Sequence, residues 1–86
     1  MLMELYERVN EIDSRHDLVE FIQALRGDLL QRGDKWENAT LEEFLEALAG
    51  WTADMDGVFL NRGEQTPQQP SWRLVGRMLY AATSYE

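Results

Sequence analysis

The chain has 86 residues, of which 16 are acidic and 8 are basic, giving a formal net charge of −8. Nucleic acids and anionic membranes are themselves negative, so this charge argues against both as partners. The absence of cysteine, of a signal-peptide pattern at the start and of an apolar run of about 18 residues leads us to expect one cytoplasmic domain over residues 1–86.

Apolar residues recur with a helical period along the first third of the chain. They predict a first helix over residues 2–11 and a second over residues 15–32. Ser14 and Asp17 resemble a capping box at the start of the second helix. Gly33 is a natural stop after it.

The second half of the chain predicts two further helices. Thr40 and Glu43 form a full capping-box pattern before a third helix over residues 41–57. We expect this helix to fray or kink near Gly57. Residues 61–70 read as a loop, and Ser71 is a good N-cap for a fourth helix within residues 71–84.

These elements indicate an all-α fold, a compact single domain of four helices. We expect the second and third helices to form its centre, and the first to pack within the chain or between protomers. The predicted core consists of Leu18, Phe21, Ile22, Leu25, Phe44, Leu45, Leu48, Trp51, Met55, Trp72, Val75 and Leu79. Gly76 predicts the close approach of another helix or of the loop that bears Pro67 and Pro70.

The pattern WEN, FLEAL, a further tryptophan, DMDG, PSW, AA and YE resembles a small bacterial domain family of unknown function. Its matching positions begin beyond about Asp13 and include Asp28, Trp36, Asn38, Trp51, Asp54, Asp56, Ser71, Trp72 and Tyr85. The resemblance implies a compact helical domain and carries over no activity, substrate or catalytic residue.

Few residues could carry chemistry. His16 is the only histidine and reads as a solvated residue in the first turn of a helix. Asp54 and Asp56 before Gly57 suggest a calcium loop, but the apolar residues that follow do not suit an ion. We expect the two aspartates to bond backbone amides near a turn. The sequence therefore predicts no catalytic, cofactor or metal site.

The fourth helix carries a candidate partner-binding surface. Arg73, Arg77, Tyr80 and Ser84 share one side of it. Arginine and tyrosine are favoured residue types where proteins bind each other. The alternative is that the two arginines simply pair with Glu42 and Glu46, or with other acids, inside the fold.

We expect a small acidic, non-enzymatic protein-interaction domain with an unknown protein partner, either a monomer or a homodimer. The alternative is an acidic inhibitor or immunity protein that covers the basic site of a toxin or nuclease. Its basis is the uneven charge: residues 1–60 hold 14 acids and 5 bases, a charge of −9, whereas residues 61–86 hold 3 bases and 2 acids, a charge of +1.

Overall fold

The computed structural model describes residues 4–85, which form four α-helices and two 3₁₀ turns. The α-helices are α1 (Leu5–Arg8), α2 (Arg15–Arg32), α3 (Leu41–Asn61) and α4 (Trp72–Ala82), and the 3₁₀ turns are Val9–Glu11 and Gly33–Lys35. The described part of the chain contains no strand, so the all-α, four-helix prediction is confirmed. No helix in it is both long enough and apolar enough to cross a membrane.

Three helices begin at the side chains that the sequence indicated. The Thr40 hydroxyl accepts the Glu43 N–H at 3.2 Å while the Glu43 carboxylate accepts the Thr40 N–H at 3.4 Å. Ser71 caps α4 through the Leu74 N–H at 3.0 Å. The Ser14 hydroxyl accepts a hydrogen bond from the Asp17 N–H. The Asp17 carboxylate accepts one from the N–H of Asp13, whereas in a standard capping box it would accept from the N–H of Ser14.

The helix ends differ more from the expectation. The predicted first helix is a single α-turn followed by a 3₁₀ turn, and residues 1–3 lie outside the described part. The fourth helix ends at Ala82, so Thr83 and Ser84 lie beyond it. The third passes through Gly57 without a break and ends four residues later than predicted.

One feature carries α3 past Gly57, and another ends the helix. Phe59 is buried, so its contacts stabilise the extra turn. The stop is at Gly63, whose φ of 71° is the left-handed conformation that glycine adopts readily. The Glu64 N–H then bonds the Phe59 carbonyl at 2.8 Å and the Gly63 N–H bonds the Leu60 carbonyl at 3.0 Å, which is a Schellman motif.

The centre of the fold is α4, which corrects the expectation that α2 and α3 form it. Helix α4 packs against α3 on one side and against α2 and the first 3₁₀ turn on the other, whereas α2 and α3 have little contact with each other. Two buried residues of α4 show the arrangement, because Leu74 and Gly76 lie about 200° apart around the helix axis. Because α4 is covered on two sides, α2 and α3 are left apart from each other.

The core accordingly differs from the predicted one. Ile22, Leu45 and Trp72 were assigned to it and are exposed instead. Ile22 and Trp72 line open depressions between elements rather than the closed interior. The buried apolar residues are Val9, Ile12, Leu18, Phe21, Leu25, Ala47, Trp51, Phe59, Leu74 and Ala82.

The segment after α1 packs within the chain. Ile12 is 2% exposed and lies against Gly76 of α4, where a Cβ atom would collide with the end of its side chain. Gly76 thus permits a close approach, as predicted, but by the segment that links the first turn to α2 rather than by the loop at Pro67 and Pro70.

Candidate functional site

A cavity of about 800 Å³ opens between the start of α4, the loop after α3 and the turn before α2. Phe59, which is buried, and Leu74 contribute apolar surface to its lining, and Pro67 and Pro70 contribute from the loop. Arg73 and Arg77 enter it from α4, one helical turn apart. The cavity thus contains the two arginines of the predicted partner-binding surface.

Arg73 is held by the backbone. Its Nε–H donates to the carbonyl oxygen of Ile12 at 3.0 Å. This bond ties the start of α4 to the turn before α2 and occupies one of the five N–H donors of the guanidinium. Four donors remain for a ligand.

Arg77 is held by an aromatic ring. Its guanidinium carbon lies 5.9 Å from the centroid of the Phe59 ring, within the range of a cation–π contact. The residue as a whole is half-buried. The ring contact restricts where the guanidinium can lie.

Neither arginine has an acidic partner in residues 4–85. The contacts found there between a basic side-chain nitrogen and a carboxylate oxygen within 4.0 Å are His16 with Glu20 and Arg32 with Asp28. The alternative in which the fold itself pairs these arginines with Glu42 and Glu46 is therefore not realised. Two guanidinium groups thus have no ion-pair partner among the described residues, in a chain that has twice as many acids as bases.

Tyr80 and Ser84 do not line this cavity. They line a second depression of about 300 Å³ near the start of α1. Tyr80 is half-buried, and its ring meets Phe21 edge-on with centroids 6.4 Å apart. Burial raises the pKa of the Tyr80 hydroxyl. The structure therefore brings Arg73 to Arg77 and Tyr80 to Ser84, but in two separate depressions.

The two aspartates of the DMDG sequence bond hydroxyl groups rather than the backbone amides that we expected. Asp54 accepts from the Tyr85 hydroxyl at 2.5 Å, and Asp56 accepts from the Thr66 hydroxyl at 2.5 Å. The bond to Asp54 raises the pKa of Tyr85. The two carboxylates therefore secure different segments, the end of the chain and the loop after α3. Within residues 4–85 no three His, Asp or Glu side chains come together as metal ligands.

The WEN sequence also has a structural role. The indole N–H of Trp36 donates to Asp28 at 2.7 Å, and Arg32 donates to the other oxygen of that carboxylate. These bonds, the one from Trp36 first, lower the pKa of Asp28 despite its partial burial. Asn38 donates to the carbonyls of Ala82 and Tyr85 at 3.0 and 2.9 Å. The motif thus joins α2 to the linker, and the linker to the end of the chain.

The two groups that fix the arginines are not apparent from the spacing of residues in the sequence. Phe59 lies 18 positions before Arg77 and the Ile12 carbonyl lies 61 positions before Arg73, so no local spacing connects them. The signal in the sequence was the position of Phe59, which continues the apolar stripe of α3 beyond Gly57, and the structure shows that Phe59 is buried.

Comparison with known proteins gives a family and no further relative. Neither the curated proteins nor the solved structures contain a significant match to the chain. The model of a family described as "Family of unknown function (DUF7660)" matches residues 14–86, which is most of the chain. The chain therefore belongs to DUF7660, a family of unknown function.

Proposed function

We propose that the protein is a small, non-enzymatic protein-interaction domain, and that its partner places a carboxylate-bearing segment in the cavity of Arg73 and Arg77. The observation that carries this proposal is the state of the two guanidinium groups. Both are positioned, by Ile12 and Phe59, and neither forms an ion pair within residues 4–85. A carboxylate would satisfy the free donors of either arginine, with two parallel bonds where the geometry allows.

The lining of the cavity supports a peptide-like occupant. Trp72 is 47% exposed at the rim, and large aromatic residues and arginines are the side chains that most often dominate binding energy. Asp13 and Glu64 also line the cavity. A partner segment that carries an N–H donor or a basic group beside its carboxylate would therefore suit it better than a simple anion.

The chemistry at hand favours binding over catalysis. His16 lies outside the cavity lining, and its ring bonds Glu20 at 2.8 Å on an exposed surface. The chain has no cysteine, so the cavity lacks the two side chains that most often act as base or nucleophile. The same lack of cysteine supports a cytoplasmic location.

Affinity capture with charge-reversed variants tests the proposal. The immobilised wild-type protein is compared with Arg73→Glu and Arg77→Glu on a lysate of the source organism, with quantification of the bound proteins. Arg62→Glu is the matched control, because it makes the same charge change at an exposed site outside the cavity lining. We expect a captured protein that Arg62→Glu retains and that both cavity variants lose by about tenfold or more. Equal capture by the cavity variants, with unchanged melting curves, would remove the basis of the proposal.

The charge distribution supports a second candidate, an acidic inhibitor that covers a basic site. Glu42 and Glu46 are exposed on α3, and neither forms an ion pair within the described residues. If this function is correct, Glu42→Lys and Glu46→Lys will abolish capture and slow association, whereas the arginine variants will not. Association will also slow steeply with salt, because it depends on long-range attraction.

A further inference from the structure

Helix α2 exposes an apolar stripe to solvent. Val19, Ile22, Leu29 and Leu30 are 46%, 43%, 36% and 70% exposed. They share one face of α2, the outer face, which lies beside the face that carries the buried Leu25. Four large exposed side chains on one face of a single helix exceed the scattered exposure that is normal for a small domain.

The charge on this face is positive in an otherwise acidic protein. At about 100° per residue, Arg15 and Arg26 fall within the stripe, and the three acids of α2 lie at least about 100° from its centre. Two of those acids are also engaged elsewhere, since Asp17 bonds the N–H of Asp13 and Asp28 bonds Trp36. The outer face of α2 therefore combines apolar and basic side chains without an acidic one.

A groove runs beside the stripe because α2 and α3 pack on α4 rather than on each other. Its volume is about 310 Å³, and Ile22, Arg26 and Leu29 form its α2 wall. Leu41, which is 73% exposed, lies on the α3 wall, and Leu79 of α4 contributes to the lining between them. Among the described residues that line the groove, Arg26 alone is charged.

We propose that this face of α2, with the groove beside it, is a docking site for an amphipathic helix of a partner protein that carries acidic residues next to its apolar stripe. The site extends beyond the function proposed above, since no residue lines both the groove and the arginine cavity. The positions Arg15, Val19, Ile22, Arg26 and Leu29 are spaced alternately by four and three residues. This is the spacing at which one helix meets another along a continuous seam.

Charge complementarity selects this occupant. A second copy of the chain would bring the same two arginines to the interface without an acid from α2 to meet them. A basic helix would meet Arg26 within the groove. An acidic helix instead gives Arg26 a carboxylate while its apolar residues cover Ile22 and Leu29.

Two synthetic amphipathic peptides of about 20 residues test the proposal. They share one leucine stripe at alternating four- and three-residue spacing and differ only in their flanking residues, which are glutamate in one and lysine in the other. Binding to the full chain is followed by the fluorescence anisotropy of the labelled peptides. We expect the glutamate peptide to bind and the lysine peptide to bind at least about tenfold more weakly, with affinity for the former falling as salt is added.

Variants assign the binding to this face. Arg26→Glu and Ile22→Ser alter exposed side chains, so both variants should fold. Each should bind the glutamate peptide about tenfold more weakly than wild type does. Arg62→Glu, with the same charge change outside the groove, should not. The proposal is overturned if neither peptide binds, if the lysine peptide binds as well as the glutamate one, or if the groove variants bind like wild type. Sedimentation equilibrium that shows a dimer lost in Ile22→Ser would also overturn it, because a second copy would then occupy the face.

Discussion

Replacing Trp36 by phenylalanine tests whether the hydrogen bond to Asp28 stabilises the fold through its charge. The substitution removes the indole N–H that lies 2.7 Å from the carboxylate. It keeps an aromatic ring beside Phe44, with which the indole is stacked at a centroid distance of 6.3 Å. The variant therefore loses one donor and a part of the ring volume.

The magnitude follows from the environment of the carboxylate. The Asp28 side chain is 15% exposed, and a hydrogen bond to a charged group contributes about 1.5–3 kcal/mol. Arg32 continues to bond the same carboxylate after the change, so we expect a loss near the lower limit, about 1.5 kcal/mol, plus a packing cost. A chain of 86 residues has a total stability of about 4–13 kcal/mol, so this loss is a readily measurable fraction.

The pH dependence of the loss in stability distinguishes the contribution of the hydrogen bond from the packing cost. The pKa of Asp28 is lowered in the folded state, with the bond from Trp36 as the largest cause. Its contribution to stability is therefore fully present above the unfolded pKa of about 3.9 and is lost as the pH falls through the folded pKa. The difference between wild type and Trp36→Phe should thus be largest near pH 7 and should shrink below about pH 4, whereas a cavity would cost the same at both.

Urea unfolding followed by circular dichroism measures the loss of stability near neutral pH and at acidic pH. A double-mutant cycle with Asp28→Asn should give a coupling energy of about 1 kcal/mol or more near neutral pH, because the residues are in direct contact. A coupling near zero, or a Trp36→Phe loss that does not change between neutral and acidic pH, would show that the tryptophan stabilises the fold by its bulk alone.

Three further changes have defined outcomes. Gly76→Ala sets a methyl group against the Cδ1 atom of Ile12, a residue that is 2% exposed and would have to shift. Overpacking should therefore exceed the gain in helix propensity and lower stability by about 1 kcal/mol, and an unchanged urea midpoint would contradict the close contact. Asn38→Ala removes two hydrogen bonds to the carbonyls of Ala82 and Tyr85 and should lower the free energy of unfolding by about 1–3 kcal/mol. Amide hydrogen exchange after α4 should become faster. Unchanged exchange there would show that these bonds do not hold the segment in place. Burial raises the pKa of Tyr80, so the contribution of its neutral hydroxyl to stability is fully present below the unfolded pKa of about 10 and is lost as the pH rises through the folded pKa. Tyr80→Phe should therefore flatten the fall of melting temperature with pH in that range. A variant whose melting temperature falls as in wild type would refute the burial.

The helix starts could be predicted from the sequence because their signals are local. Ser14, Thr40 and Ser71 each bond an N–H three residues on, and short hydroxyl side chains at these positions are visible without knowledge of the fold. The end of α3 could not be placed in the same way. It depends on the burial of Phe59 against other parts of the chain, and only then on the turn at Gly63.

The core and the candidate site could not be fully predicted from the sequence, because both depend on how the helices pack. The apolar stripe of α2 is wider than the surface that α4 covers, so the sequence assigned Ile22 to the interior although it lines an open groove. In the same way, the spacing of Arg73 and Arg77 placed them on one side of α4 but could not show whether acids surround them. Whether an arginine is paired depends on distances between segments that are far apart in sequence.

The distinctive motifs of the chain are occupied by the fold itself, and this bears on where its function lies. Trp36 bonds Asp28, Asn38 bonds the end of the chain, and Asp54 bonds Tyr85. Side chains engaged in this way have few free donors or acceptors for a partner. The arginines on the outer face of α2 and in the α4 cavity have no carboxylate partner among residues 4–85. In a chain with such an excess of acids, positive groups that stay unpaired are the ones that a partner can bind without first breaking a bond within the fold.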